Sequence, residues 1–365
     1  MRAVAWGALA LLVVLWVVPT LGLLLTSLRT PDQIAQSGWW RAASPVMLAG
    51  FVRTGAATEP LAGGWVAAGS VLAPEQSLIG WGVDARAPDA FRPGETADLG
   101  QGRRLSVLAD GRYTLWTPER TDADRGTRIF ITTRSPPRLK LDNYARVIGA
   151  EGLGRAVLNT MTVTIPATVL PIAIAAFAAY ALAWMELPGK SLLIAALLCL
   201  MAMPLQLALI PLLKLHGILG IGKSYVGIWL AHTGFGLPLM VYLLHGYMLR
   251  LPTAIIASAR LDGASELRIF ARIVLPLCAP ALAALAALQF LWVWNDLLVA
   301  LVFLGNRPDQ LVLTGALRDM LGSRGGAWNI LAASAFVSMM IPLAVFVLMQ
   351  KYLMRGMLTG AVKGG

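Results

Sequence analysis

Charged residues are scarce in this sequence: 13% of its 365 residues are Asp, Glu, Lys or Arg, whereas 57% are hydrophobic. Soluble globular chains carry roughly 25% charged residues. The low charge therefore excludes an ordinary soluble enzyme, and we expect most of the chain to lie in a lipid bilayer.

Cysteine is also scarce, with two residues, and there are three histidines. Cys199 and Cys278 lie in or beside apolar stretches, and neither has a second Cys or a His close to it in sequence. The closely spaced ligands that metal sites require are thus missing, and nothing indicates a disulfide. We predict no metal site and no catalytic residue, and interpret both thiols as small buried hydrophobic groups.

The net charge of +11 raises the question of nucleic-acid binding. The arginines are dispersed through one polar segment and the ends of the apolar stretches, without forming a basic stripe. We therefore predict no nucleic-acid partner.

Long apolar runs are abundant. They extend over Val4 to Leu28, Thr160 to Trp184, Ser191 to Leu212, Tyr225 to Leu249, Ala279 to Leu304 and Ile330 to Leu353. A helix needs about 20 residues to cross roughly 30 Å of hydrocarbon, so each run is long enough to span a membrane. The pattern predicts an all-α polytopic membrane protein with six transmembrane helices, surrounded by membrane lipid.

The first run also decides the expected topology. It is longer than the roughly 7 to 15 apolar residues of a signal peptide, so we expect an uncleaved first helix. With Arg2 inside, six spans place residues 185–190, 250–276 and 354–365 in the cytoplasm together with both termini. Lys and Arg are modestly enriched in these segments, as expected for the cytoplasmic side.

A long polar segment follows the first run. Residues 104–108 and 128–132 alternate between polar and apolar side chains, and turn residues stand at Arg92-Pro93-Gly94 and Asp110-Gly111. Period-two alternation bounded by such turns is typical of short strands. We predict three regions: the first helix at 1–30, a β-rich extracytoplasmic insertion at 31–140, and a core domain at 141–365.

Residues Gly217 to Ser224 match the phosphate-binding pattern G-x-x-x-x-G-K-[ST]. That mechanism requires a strand before the loop and a soluble helix after it, so that backbone amides converge on phosphate. Here two apolar runs flank the loop. We interpret it as a Gly-rich turn between membrane helices.

The loop after the fourth run, residues 250–276, is the most informative part of the chain. Pro252 is suited to the first turn of a short helix, on which Ile255, Ile256 and Ala259 would share one face. Such a helix would lie across the cytoplasmic side and present a face to something outside the membrane. A purely structural loop would show the same pattern.

The residues after this helix suggest how it ends. Gly263 would allow a turn or a close neighbour, and Asp262 would cap the next helix. Leu275-Pro276 would interrupt that helix near the membrane surface.

Several motifs resemble those of one family. The string Ala259-Arg260-Leu261-Asp262-Gly263-Ala264, followed by Phe270, Ile273, Leu275-Pro276 and Pro280, resembles the cytoplasmic loop of permease subunits in binding-protein-dependent ABC importers. Further similarity is found at Leu141 to Tyr144, Asn159-Thr160, Tyr180-Ala181, Leu187 to Lys190, Trp294 to Asp296 and Arg355 to Gly364. Together these motifs, covering residues 1–30 and about 139–365, are similar to the smaller maltose-permease-like subunit of the carbohydrate branch. The large insertion, with Trp39-Trp40 near its start, resembles the α-glucoside type.

The resemblance implies a role and partners. The loop would be a coupling helix that sits in a cleft of the ATP-binding subunit, with contacts from Ala257, Ser258, Ala259, Leu261, Asp262, Gly263, Ala264, Phe270, Leu275 and Pro276. The implied partners are a second homologous permease subunit, two ATP-binding subunits and an extracytoplasmic sugar-binding protein. ATP and magnesium would be bound by the ATPase, so we expect no cofactor on this chain.

The chain departs from the family at Ala257, where the family usually has glutamate, followed by alanine where this chain has Ser258. That acid often pairs with a base of the ATPase, and Asp262 is not a simple replacement for it. Loss of a surface ion pair costs about 0 to 1 kcal/mol. Docking through shape and the apolar face is therefore compatible with the sequence.

Polar groups within apolar runs indicate where a substrate would pass. The fifth run contains Gln289, Trp292, Trp294, Asn295 and Asp296. Indole faces pack on sugar rings, and amides and carboxylates bind hydroxyls. The alternative is that the tryptophans mark the membrane interface and the polar groups bond neighbouring helices.

His232 and His245, in the fourth run, are interpreted as structural, since a lone histidine in a packed helix more often serves structure than function.

Two other functions remain open. One is a permease of the same superfamily for a non-sugar solute. The other is a membrane-embedded enzyme whose extracytoplasmic segment does the chemistry. That segment lacks His and Cys, and its acids show no recognisable catalytic spacing; they include Glu95, Asp98, Asp110, Glu119, Asp122 and Asp124.

Overall fold

In the computed structural model, which describes residues 2–61, 63–121, 126–149, 152–323 and 326–361, the chain separates into two units. The first contains residues 1–143 with 326–333, and the second contains 144–325 with 334–365. Of the acids considered above, Asp122 and Asp124 lie outside the described residues, as do Val362 to Gly364 of the C-terminal motif.

Most of the described chain is helical. The helices are α1 (Arg2–Ser27), α2 (Pro31–Gln36), α3 (Asp142–Ile148), α4 (Leu153–Trp184), α5 (Lys190–Ala202), α6 (Leu205–Ile218), α7 (Tyr225–Met248), α8 (Thr253–Leu261), α9 (Glu266–Ile269), α10 (Leu275–Leu277), α11 (Ala279–Trp294), α12 (Leu298–Phe303), α13 (Leu313–Ser323) and α14 (Trp328–Ala361). A 3₁₀ turn lies at Trp39–Arg41, and a π turn lies at Phe270–Val274. Within the described residues, α1, α4, α7 and α14 are long and apolar enough to cross a membrane, and two bent helix pairs raise the number to six if each pair is one span.

Within the described ranges, all strands lie in the first unit. They are β1 (Val46–Arg53), β2 (Glu59–Leu61), β3 (Gly64–Ser70), β4 (Ser77–Gly82), β5 (Thr96–Asp98), β6 (Arg104–Val107), β7 (Arg112–Thr117) and β8 (Arg128–Ser135). They form two antiparallel sheets, ordered β1-β8-β4 and β2-β3-β7-β6-β5. The two predicted strands correspond to β6 and β8, and the turns at Gly94 and Gly111 have positive φ, which glycine adopts without strain.

Alternation along the strands builds the core of this unit. In β8 the side chains of Ile129, Ile131, Thr133 and Ser135 are buried, so every second residue faces inward. Trp81 is fully buried, stacks on Phe91 with ring centroids 4.9 Å apart, and donates from Nε1 to the carbonyl of Arg92 at 3.1 Å. An indole with its N–H paired is suited to the centre of a small β core.

The C-terminal end of α1 is closed by an asparagine. Asn143 Nδ2 donates to the carbonyls of Ser27 at 2.7 Å and Arg29 at 2.9 Å, and its Oδ1 accepts from Asn329 Nδ2 at 2.8 Å. The last carbonyls of a helix lack partners within it. Asn143 supplies two of the missing donors around the end of α1.

The third apolar run, Ser191 to Leu212, falls on two helices with a bend between them. α5 and α6 meet at 104° across Met203-Pro204. Proline has no N–H and forces the residue before it into an extended conformation, and Met203 has ψ 126°. Hydropathy stays high through the bend because it does not depend on backbone direction.

The fifth run is divided as well. Residues Glu266–Leu277 and Ala279–Trp294 are bent by 72°, and the helix that was predicted to continue to Leu304 ends at Trp294 and resumes as α12. Asp296 Oδ1 accepts from the backbone N–H groups of Leu298 and Val299 at 2.9 and 3.2 Å. A carboxylate that pairs the first free N–H groups of a helix favours a new helix start at this point.

The stacked pair at Trp81 generates a stability prediction. Trp81→Ala is expected to destabilise the sheets by about 3 to 5 kcal/mol, because it leaves a cavity and an unpaired carbonyl. Limited proteolysis of the solubilised full chain, followed at the strand-containing segment, measures the effect. Trp40→Ala is the control, since Trp40 is 72% exposed. Equal cleavage rates for both variants would contradict the role of Trp81.

Candidate functional site

Helix α8 begins after Pro252 and packs through one side. Ile256 and Ala259 are buried in a cluster that includes Ala179 of α4 and Leu244 of α7. Ile255, which was predicted to share this face, is 42% exposed. Residues three apart lie on the same side of a helix, whereas a neighbouring residue is turned by about 100°. The buried face is therefore narrower than predicted.

The opposite side of α8, here called the outer face, consists of Ala254, Ala257, Ser258 and Leu261. All four are exposed, and Leu261 is 89% exposed. Ser258 Oγ donates to the carbonyl of Ala254 at 2.8 Å, within its own helix. The outer face is thus small-sided and uncharged, with one projecting leucine.

Gly263 turns the chain at the end of α8. Its φ of +76° is a left-handed conformation, and no atom lies within 4 Å of the position that a Cβ would occupy. The Ala264 N–H donates to the carbonyl of Ala259 at 3.0 Å, as in a glycine-terminated helix. Glycine is needed here for the backbone angle and not for a close neighbour.

The role predicted for Asp262 is wrong. Asp262 ends α8, with its N–H donating to the carbonyl of Ser258 at 2.9 Å, and the residue that precedes α9 is Ser265. The glycine turn adds residues between the two helices, so the aspartate belongs to the first helix and not to the second.

The predicted contact residues after α9 differ in exposure. Phe270 is buried, with its ring centroid 4.5 Å from that of Phe177 and 5.3 Å from that of Tyr180. Leu275 is half-buried and packs against the same cluster, whereas Pro276 is exposed. The helix breaks at Cys278, two residues beyond Pro276.

Two charged residues that we did not assign to the site connect its elements. Arg260 Nε donates to Glu266 Oε1 at 2.8 Å and Nη2 donates to Oε2 at 3.2 Å. Nη2 also donates to the carbonyl of Trp184 at 2.8 Å, and the Tyr180 hydroxyl donates to Glu266 Oε2 at 2.5 Å. The hydrogen bond to Glu266 raises the pKa of Arg260. Opposite charges on either side of a glycine turn were the signal in the sequence.

Some of the residues predicted to line a path are buried between helices, and others are exposed. Gln289 is buried and donates from Nε2 to the carbonyl of Ala167 at 3.1 Å, and its amide lies against Gly236. Trp294 is buried, stacks on Phe290 and donates from Nε1 to the carbonyl of Ser338 at 3.2 Å. In this chain both side chains join helices, as in the alternative reading.

Trp292 and Asn295 lie on the surface. Trp292 is 39% exposed, and the exposed Asn295 donates from Nδ2 to the carbonyl of Leu291 in its own helix at 2.8 Å. These two side chains have surface available for a solute, for lipid or for a partner.

Asp296 and His232 form a polar pair between helices. Asp296 Oδ2 lies 3.5 Å from Nε2 of the buried His232, and the Trp292 ring meets the imidazole edge-on at 5.6 Å. His232 therefore lies against the segment between α11 and α12. His245 is also buried.

The phosphate-loop pattern lies between two helices. α6 ends at Ile218, Gly220 and Gly222 have positive φ, and Ser224 Oγ accepts from the N–H of Gly227 at the start of α7. A helix stands where the phosphate-binding mechanism needs a strand. The segment is a helix-to-helix turn.

Cysteine labelling distinguishes the surface pair from the buried pair. In a chain with Cys199→Ala and Cys278→Ala, we expect Trp292→Cys and Asn295→Cys to react with a water-soluble maleimide faster than Gln289→Cys and Trp294→Cys. The reason is that a maleimide reaches only an exposed thiolate. Equal or faster labelling at the buried pair would show that they line an aqueous space.

Comparison with known proteins identifies the family. The family model described as binding-protein-dependent transport system inner membrane component matches residues 157–359. The chain is 53% identical over 364 residues to the alpha-glucoside transport system permease protein AglG of Rhizobium meliloti, covering 97% of this chain and 95% of the relative. It is 52% identical over 223 residues to the osmoprotective compounds uptake permease protein GgtD of Synechocystis, covering 61% and 75%.

A solved structure shows the same fold. A bacterial ABC transporter involved in the import of the acidic polysaccharide alginate matches with a TM-score of 0.51 and 22% identity, over 60% of this chain and 81% of the solved chain. The resemblance drawn from the motifs is confirmed, and the enzyme alternative is excluded because these relatives are transport components. The chain belongs to the family of inner membrane components of binding-protein-dependent transport systems.

Proposed function

We propose that this chain is a transmembrane permease subunit of an ATP-driven importer that moves an α-glucoside or a related oligosaccharide across the cytoplasmic membrane. The observation that carries the solute class is the 53% identity to an alpha-glucoside permease over nearly the whole of both chains, including the strand-containing segment. A relative that matches only the helical part gives no support for the function of the strand-containing segment.

A second solute class has specific support. The 52% identical relative from Synechocystis is named for osmoprotective compounds. Its match covers 61% of this chain, against 97% for the alpha-glucoside permease. We therefore place an osmoprotective solute second.

The outer face of α8 would dock on an ATP-binding subunit. Its exposed, uncharged residues suit insertion into an apolar cleft, where burial of Leu261 would contribute about 25 cal/mol per Å² of apolar surface. Since Ala257 replaces the glutamate usual in the family, and Glu266 is already bonded to Arg260 and Tyr180, docking here would not depend on an acid at that helix.

The topology belongs to the same proposal. If each bent pair is one span, the chain has six spans. With the N-terminus inside, α8 and both termini would lie on the cytoplasmic side, and the strands between Val46 and Ser135 would lie on the other side. The assembly would contain a second permease subunit, two ATP-binding subunits and an extracytoplasmic sugar-binding protein. ATP and magnesium would be held by the ATP-binding subunits, with no cofactor on this chain.

Reconstitution tests the function. In proteoliposomes containing the partner subunits and the binding protein, we expect ATP-dependent uptake of labelled maltose, with less uptake of glycine betaine. Gly263→Val should abolish uptake and binding-protein-stimulated ATP hydrolysis, because a β-branched residue at φ +76° costs about 1 to 2 kcal/mol and displaces the turn. Gly263→Asn is the control, since asparagine tolerates this conformation. Uptake of betaine alone would replace the sugar assignment, and unchanged rates in Gly263→Val would refute the coupling assignment.

Protease accessibility tests the topology. Protease added to spheroplasts should cut between Arg29 and Lys140 and leave the coupling segment 250–276 intact, because only the outer side is reached. Inside-out vesicles should show the reverse. Full protection of the strand segment in spheroplasts would overturn the orientation.

A further inference from the structure

Helix α8 is attached to α4 by a set of polar contacts that no role in docking explains. We propose that Arg260, Glu266 and Tyr180 form a polar clamp through which displacement of α8 moves the end of α4, so that Arg260 and Glu266 are positioning residues for transport. The proposal rests on the coupling role of α8 given above and specifies the helix on which α8 acts.

The clamp has the geometry of a two-point connection. Both oxygens of Glu266 accept from the Arg260 guanidinium, at 2.8 and 3.2 Å, which fixes the orientation of the two side chains and not only their separation. A planar guanidinium facing a carboxylate in this way forms parallel charge-assisted hydrogen bonds. α8 and α9 are thereby held together across the Gly263 turn.

Each partner also reaches α4. Nη2 of Arg260 donates to the carbonyl of Trp184, the last residue of α4, and the hydroxyl of Tyr180, one turn earlier, donates to Glu266. The final carbonyls of a helix have no partner within it and carry partial negative charge, so a cation is favourable there. Arg260 closes the end of α4 while belonging to the coupling segment.

Apolar packing also limits how far α8 can slide along α4. Ile256 and Ala259 of α8 are buried in the cluster that contains Ala175 and Ala179 of α4, and the Phe270 ring packs on Tyr180. Close-packed side chains of this kind transmit displacement because they leave little free volume.

The covalent route out of the coupling segment is less continuous. Between α9 and α11 the chain passes through the π turn Phe270–Val274 and the 72° break at Cys278. A helix with such turns and breaks does not move as one rigid rod. The contacts across to α4, a helix of 32 residues, offer a second path into the membrane.

A matched control exists in the same segment. Arg268 and Arg272 are exposed, and neither has an ion-pair partner among the contacts that the structure describes. Replacing Arg268 removes the same charge from the same region without touching the clamp.

The test compares Arg260→Gln, Glu266→Gln and Tyr180→Phe with Arg268→Gln in the complete reconstituted importer, using maltose as the probe. We expect each clamp variant to lower the number of sugar molecules moved per ATP hydrolysed by about fivefold or more, the lower end for energetic coupling between sites. Basal ATP hydrolysis per assembled complex should stay at the wild-type level. Arg260→Lys should be intermediate, since an ammonium keeps the charge but not the fork.

The outcomes distinguish failure of the clamp from failure of the coupling role of α8. A purely structural role would reduce the amount of assembled complex and leave the sugar-to-ATP ratio unchanged, which would overturn the clamp. If Gly263→Val uncouples transport but all three clamp variants keep the wild-type ratio, the clamp is wrong and the coupling role stands. If Gly263→Val also has no effect, the coupling assignment itself is wrong. Tyr180→Phe removes a single hydroxyl and keeps the test valid where the charge variants fail to assemble.

Discussion

The bilayer requires every backbone N–H and C=O at its centre to be paired within the protein, and this constraint organises the chain. The long apolar helices satisfy it internally. Where they bend or end, other groups take over: Asn143 donates to the carbonyls at the end of α1, Asp296 accepts from the N–H groups at the start of α12, and Arg260 donates to the last carbonyl of α4. Among the residues that the structure describes, the strands occur in the segment that lacks a long apolar run.

Residues 250–276 have two surfaces of different character. Toward the bundle, Ile256, Ala259 and Phe270 are buried among side chains of α4 and α7, and Arg260 and Glu266 add directional bonds. On the outer face, Ala257 and the projecting Leu261 present an uncharged surface. Under the proposed docking role, a partner would recognise this uncharged face by shape and burial. Under the same proposal, the contacts of Arg260 and Glu266 with α4 would orient the helix.

Polar residues inside an apolar run have more than one use, as α11 and its neighbours show. Gln289 and Trp294 donate to carbonyls on other helices, and Asp296 accepts from the first N–H groups of α12 while lying 3.5 Å from His232. Only Trp292 and Asn295 keep exposed surface. An unpaired polar group is costly in lipid, which explains why Gln289 and Trp294 bond to neighbouring helices.

The sequence by itself determined the membrane class, the apolar runs, the strands β6 and β8, the short helix after Pro252 and the turn at Gly263, because hydrophobic periodicity and glycine or proline preferences act over a few neighbouring residues. It also indicated the family through its motifs. Only the tertiary structure decided that Asp262 ends α8, that the run from Ser191 bends at Pro204, and that Gln289 faces inward. It also decided that Arg260 reaches Trp184 and that Tyr180 reaches Glu266, contacts that join residues 76 and 86 positions apart. Such contacts depend on how helices pack, and local patterns carry no record of which side chain lies opposite.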